Sequence, residues 1–133
     1  MISRRLGERL EESKLVASDE FKRKTYEHMF TETRRWAGKV KYLVLDGTFY
    51  RGEWRDSILE ISREKGESVF TVHITCSLET CLRRNRRRKE QVEEKAVYII
   101  YNQMERPEMP DLLIDTDVLD VEEAVGGILK ALP

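Results

Sequence analysis

Apolar side chains along this chain fall into two alternating patterns: stretches spaced by one helical turn, and short dense runs between them. Ile2, Leu6 and Leu10 stand a turn apart and predict a helix over residues 2–12. Leu15-Val16-Ala17 reads as a short strand ending at Ser18-Asp19, followed by a helix over 20–36 with Phe21, Tyr26, Met29 and Phe30 for its inner side. The apolar run 42–46, Tyr-Leu-Val-Leu-Asp, predicts a second strand. Trp54, Ile58 and Ile61 then mark a helix that Gly66 ends. Residues 69–76 are rich in β-branched side chains and predict a third strand. Leu78, Cys81 and Leu82, then Val92, Ala96, Ile99 and Ile100, mark a long helical region broken near a cluster of arginines. Leu112-Leu113-Ile114 is a fourth strand, and Val121 to Leu132 a last helix with Asp120 and Glu123 spaced as a capping pair.

Strands that alternate with helices pair in parallel, with helices covering the sheet. The expected class is therefore α/β: a mostly parallel sheet of about four strands flanked by helices, in a single domain over residues 1–133. A near-continuous apolar strand such as 42–45 implies burial on both faces. Chemistry in such sheets gathers at the carboxyl ends of the strands. Those ends carry Ser18-Asp19, Asp46-Gly47-Thr48, Cys76 and Asp115-Thr116-Asp117, so three of the four end in a carboxylate.

A chain of 133 residues with 40% hydrophobic content can bury a core of its own. The net charge of −1 conceals a segregation: residues 83–89 carry six positive side chains, whereas residues 105–123 carry eight acids and one arginine. Such neighbouring basic and acidic segments suit a charged ligand or a solvated surface. Charged residues reach 37% against two Asn and two Gln, a balance like that of thermophile proteins with surface ion pairs. Cys76 and Cys81 are too few for a disulfide framework, and their spacing fits no zinc pattern; two buried thiols in a reducing cytoplasm are expected. The start Met-Ile-Ser-Arg-Arg has no apolar signal region and no run reaches membrane-spanning length, so a cytoplasmic location is expected.

Each candidate residue also has an ordinary explanation. Asp46, followed by Thr48, is placed for Mg²⁺ or its water shell, or simply ends a strand. Asp19 orients an acceptor hydroxyl or caps the helix after it. Arg84 and Arg88 are four apart, so in a continuous helix both face a phosphate chain; Arg83, Arg86 and Arg87 then belong to a solvated basic face. Asp115 and Thr116 contact a nucleotide base or terminate the strand. His28, His73, Trp36 and Trp54 read as packing residues.

In their order, these segments resemble the P-loop kinases of small molecules and nucleic-acid ends, a group that includes adenylylsulfate, polynucleotide, zeta-toxin-like and seryl-tRNA kinases. Ser18-Asp19-Glu20-Phe21-Lys22 resembles the D-x-x-R element, with Lys22 in place of Arg; Leu43 to Thr48 resembles a Walker B strand. Tyr50 to Arg55 resembles a substrate-side Y-R-x-x-x-R element, Cys76 to Arg88 the lead-in to an arginine-bearing lid, and Pro107 to Asp117 the P-E-x-P-x-L-x-I-D-T-D closing strand. The K-G-L-Y lid sequence of adenylylsulfate kinases is missing.

The resemblance implies an ATP- and Mg²⁺-dependent phosphotransferase acting on a hydroxyl of a small molecule, nucleotide or RNA. Catalytic roles would fall to Asp19, Asp46, Arg84 and Arg88, with Asp46 holding magnesium through water. Substrate contacts would come from Lys22, Thr48, Arg51 and Arg55, and nucleotide contacts from Asp115 and Thr116. The G-x-x-x-x-G-K-[ST] loop that cradles phosphates is not found; the lone Gly38-Lys39 pair runs into Val40. The expectation is thus a kinase-like domain truncated before its first strand and loop, inactive alone and prone to self-association through the gap in the sheet. The alternative is a non-catalytic nucleotide- or RNA-binding or regulatory protein that keeps the fold.

Overall fold

In the computed structural model the described residues are 19–133, so the helix expected over 2–12 and the strand expected over 15–17 lie outside them. The chain divides into two compact units, residues 1–69 and 70–133.

The first unit contains α1 (Asp19–Trp36) and α2 (Gly52–Lys65). Acids in the first turn of α1, Asp19 and Glu20, and arginines in its last, Arg34 and Arg35, oppose the helix dipole at each end. Its inner face is Thr25, Tyr26, Met29 and Thr33, spaced by three or four residues. Both threonines spend their hydroxyls on carbonyls one turn back, Phe21 at 2.9 Å and Met29 at 2.7 Å, and so remain buried without an open polar group. α2 presents Trp54, Ile58 and Ile61 to the core. It ends where expected: Gly66 adopts φ 67°, its N–H bonds Arg63 O, and the Glu67 N–H bonds Ser62 O at 2.9 Å. Those paired bonds form a Schellman closure, for which a left-handed residue is required.

Residues 42–46 are not a strand, which corrects the sequence reading. A strand exists by sharing its N–H and C=O groups with a neighbour, and among the described residues none pairs with this run. Alternate side chains of the run are out in solvent, Tyr42 54% and Val44 75% exposed, while Leu43 and Leu45 are half-buried.

The second unit runs β1 (Val72–Thr75), α3 (Leu78–Arg87), α4 (Glu94–Gln103), β2 (Leu112–Asp115) and α5 (Val121–Ala131). β1 and β2 pair in parallel with Val72 opposite Leu112 and Thr75 opposite Asp115. Two strands are described rather than about four, and Ile74 and Leu113 are more than half exposed, against the expected two-sided burial. Ile114 is buried, as are Leu82 of α3 and Ala124 of α5. The α/β class with a small parallel sheet flanked by helices holds.

Both ends of the interrupted helical region have a chemical cause. Ser77 caps α3 by accepting the Thr80 N–H on its hydroxyl at 3.2 Å. Beyond Arg87 the chain turns extended at Arg88, and the buried Asn85 amide fixes the turn by donating to Val92 O at 2.8 Å and accepting Val92 N–H at 3.1 Å. α5 carries the full capping box expected of Asp120 and Glu123.

Tyr26 organises the first unit: its ring stacks on Trp54 at 3.9 Å between centroids, meets Phe49 edge-on at 4.9 Å, and its hydroxyl accepts the Phe49 N–H at 2.8 Å. Tyr26→Phe leaves that N–H without a partner and should cost about 1–3 kcal/mol in denaturant unfolding. Burial foremost raises the proton affinity of Tyr26 above the ordinary 10.0. Protonation is thus favoured more in the folded than the unfolded chain: the stabilisation is intact below pH 10.0 and lost as pH rises through the higher folded value. Melting curves should show an alkaline decline in the parent that is reduced in Tyr26→Phe.

Candidate functional site

The expected site residues fall in both units, some of them near one another and some not. In the first, Tyr26 shapes the segment between Asp46 and α2. Its hydroxyl lies 3.2 Å from Thr48 Oγ1 and holds the Phe49 N–H, while Arg55 grips the Phe49 carbonyl at 2.6 Å. Phe49 sits at φ 40°, a left-handed conformation that a bulky residue adopts only when its surroundings impose it. Both of its backbone polar groups are held by side chains from α1 and α2. Gly47 makes a close approach here: a Cβ would lie 3.1 Å from the Tyr26 hydroxyl, which would have to shift by a few tenths of an ångström.

The strained turn delivers Tyr50 to the core, 1% exposed, and Arg51 to the surface. Arg51 pairs with Asp19 at 3.5 Å and with Glu53 at 3.7 Å, and its guanidinium lies 5.5 Å from the Trp54 ring centroid. Lys22 reaches the other aromatic, its ammonium 5.3 Å from the Tyr50 ring centroid. Asp19, Glu20, Arg23, Arg51, Glu53 and Trp54 line an open cleft of about 420 Å³. Asp19 is the first residue of α1 rather than the residue before it, and its side chain is 81% exposed. The cleft therefore offers an exposed carboxylate oriented by a guanidinium, over an aromatic face: an acceptor for a hydroxyl proton beside a cation for an anion. Of the expected substrate residues, Lys22 and Arg51 border this region, whereas Thr48 and Arg55 serve the turn itself. Asp46 and Thr48 are exposed.

In the second unit the carboxyl edge of the sheet is closed by its own bonds. The Thr75 carbonyl accepts both the Thr116 N–H at 2.9 Å and the Thr116 hydroxyl at 3.1 Å. Arg84 crosses from α3 to grip the same threonine, Nη1 to Oγ1 at 2.7 Å and Nη2 to the carbonyl at 2.8 Å. Asp115 folds the turn after β2, its carbonyl taking the Leu119 N–H at 2.9 Å and its carboxylate the Asp117 N–H at 2.9 Å. Asp117 in turn accepts the Ser77 N–H at 2.7 Å, and with Thr80 and Ser77 beside it its carboxyl is held below the usual carboxylate range.

This arrangement corrects one expectation. Arg84 and Arg88 do not share a helix face, because α3 ends at Arg87 and Arg88 lies in extended backbone (φ −73°, ψ 144°). Arg84 works on Thr116, and Arg86 is committed to Glu94 at 2.5 Å. Arg87, Arg88 and Lys89 point their charge into solvent.

Sequence reading missed Tyr26, Asn85 and the Ser77–Asp117 bond as organisers of these sites. Two of the three had a signal. Asn85 is the lone uncharged residue in the run 83–88, and Ser77 directly precedes a helical pattern, the position where serine caps. Nothing in the spacing marks Tyr26 as more than an inward side chain.

Among curated proteins, the chain is similar to the L-seryl-tRNA(Sec) kinases of Mus musculus, 28% identical over 101 residues (68% of this chain, 28% of the kinase), and of Homo sapiens, 27% identical over 75 residues (56% and 22%). The L-seryl-tRNA(Sec) kinase of Methanococcus maripaludis is 24% identical over 119 residues, 84% of this chain and 46% of the kinase. The chain thus spans less than half the length of each of these relatives. No solved structure matches it significantly. A family model described as an AAA domain matches residues 1–107, most of the 133, and the chain belongs to that family, on its P-loop kinase-like side.

Proposed function

We propose that this chain forms the acceptor-binding and closing parts of an ATP-dependent phosphotransferase whose acceptor is a hydroxyl on an RNA end, of the seryl-tRNA class. The observation that carries the reading is the cleft in which Asp19 and Arg51 pair beside Trp54, in a chain whose curated relatives are named for phosphorylating seryl-tRNA. Asp19 accepts the hydroxyl proton; Arg51 and Lys22 hold the acceptor's phosphate or carbonyl groups. Arg88 is the arginine for the transferring phosphoryl, since Arg84 is engaged with Thr116. Asp115 and Thr116 shape the turn that borders the nucleotide.

Mg²⁺ commonly binds through one or two carboxylates together with substrate phosphates, and a single exposed carboxylate such as Asp46 fits that outer role. When bound, Mg·ATP supplies the phosphoryl group and neutralises its developing charge. Among the described residues no three His, Cys, Asp or Glu side chains cluster to hold a metal by themselves, and no helix is long and apolar enough to cross a membrane. A second reading, a non-catalytic nucleotide- or RNA-binding protein, is favoured by one feature: the 133 residues contain no G-x-x-x-x-G-K-[ST] sequence.

Without that loop the backbone N–H groups that grip the β- and γ-phosphates are missing from these residues. Calorimetric titration of the chain with Mg·ATP should show weak binding, and phosphoryl transfer to seryl-tRNA should be undetectable; tight binding would show that another element grips the phosphates. A chimera carrying the strand and phosphate loop of a seryl-tRNA kinase ahead of residue 1 should bind ATP and transfer phosphate. In that chimera Asp46→Asn should lower turnover more than nucleotide affinity, because metal placement matters most as charge moves.

The arginines separate the two readings. In the chimera Arg88→Ala should cost roughly 2–4 kcal/mol of transition-state stabilisation, the scale for one oriented charge-stabilising donor. Arg86→Ala should cost little, its guanidinium being tied to Glu94. Equal losses of RNA affinity at Arg83, Arg84, Arg86, Arg87 and Arg88, with binding that falls steeply in salt, would instead establish the binding module.

A further inference from the structure

Cys76 follows the last residue of β1 and Cys81 lies in the first turns of α3, and their sulfurs stand 3.1 Å apart. A disulfide bond is about 2.05 Å long, so joining them requires closure of only about 1 Å. The two positions are well fixed. The Cys81 N–H bonds the Ser77 carbonyl at 3.0 Å, Ser77 caps α3, and Asp117 holds the Ser77 N–H from the turn after β2. Both cysteines are half-buried rather than buried as expected, which leaves them open to a small molecule.

We propose that Cys76 and Cys81 form a redox-active dithiol, oxidised to an intramolecular disulfide by exchange with a low-molecular-weight disulfide. In the first step the Cys76 thiolate attacks one sulfur of R–S–S–R; a bond forms between Cys76 Sγ and that sulfur, the R–S–S–R bond breaks, and R–S⁻ leaves. In the second, Cys81 gives up its proton and its sulfur attacks Cys76 Sγ, displacing the second R–S⁻. The protein loses two electrons and two protons, and the small disulfide is reduced to two R–SH, which take up those protons. Burial foremost, with the hydrogen bond to Cys76 beside it, pushes the Cys81 thiol up to about 11, in keeping with Cys76 as the first nucleophile. The resulting bond ties the end of β1 to α3 one turn ahead of Arg84, and so stiffens the helix that grips Thr116.

The test is to expose the reduced full chain to oxidised glutathione, quench in acid, and follow mass and free thiols. Both thiols should disappear with a mass loss of two hydrogens and no lasting glutathione adduct, and dithiothreitol should restore them. Cys81→Ser should trap a single glutathione at Cys76, because no second thiol is left to displace it. Amide exchange over residues 77–84 should slow in the oxidised chain. A persistent adduct on the parent protein, a disulfide-linked dimer, or two thiols that survive the oxidant would each overturn the proposal. The parent chain decides the question even if a serine variant fails to fold.

Discussion

The carboxyl end of the sheet in the second unit is fastened at the carbonyl of Thr75. It receives two hydrogen bonds from one residue, the N–H and the hydroxyl of Thr116, and the guanidinium that holds Thr116 in place comes from α3. A two-stranded parallel sheet has little stability of its own, since each strand is an edge with half its ladder groups unpaired. Pinning the carboxyl end with three elements at once compensates for that weakness. It also explains why an arginine within a basic run is not free for solvent: the fork of Arg84 matches a hydroxyl and a carbonyl on one residue, a geometry that lysine does not supply.

The first unit solves a different problem with the same economy. A polar, strained turn between Thr48 and Arg51 has to be held open at the surface, and the aromatic cluster beneath it supplies the rigidity. Tyr26 is the suitable residue because it has an apolar face for Trp54 and a hydroxyl for the turn. The same stacking orients Trp54, over which Arg51 lies, so the ion pair with Asp19 is set by the core rather than by surface chance. An exposed pair of this kind contributes little to stability. It lies on the lining of the open cleft.

How far the sequence could be read follows from which interactions are local. The helices that fall within the described residues, the Gly66 closure and the Asp120–Glu123 box are set within a few residues, and they appear where the pattern put them. Strands are not local. The runs at 72–75 and 112–115 became β1 and β2 because each had the other, in parallel as expected, whereas 42–46, no less apolar, lacks a described partner and is not a strand. The arginines failed for a related reason: spacing of four implies a shared face only while the helix continues, and Asn85 ends it by capturing Val92 seven residues on. Long-range side-chain to backbone bonds leave no period in a sequence.

The same division bears on function. Residues recognised as site elements from the motif order divide, in the structure, into those whose polar groups are spent on the fold and those that remain available. Arg84, Arg55, Thr48 and Thr116 are spent: each bonds a carbonyl or hydroxyl that shapes a turn. Asp19 and Arg51 pair with each other at the surface, Arg51 also lies over the Trp54 ring, and Lys22 lies against the Tyr50 ring. Such contacts are weak, because a surface pair has little to lose when either partner is replaced. The chain thus ties Arg84 and Arg55 into backbone-shaping hydrogen bonds and leaves the charges of Asp19, Arg51 and Lys22 loosely held. The motif that marks both classes in the sequence does not distinguish them; the hydrogen bonds do.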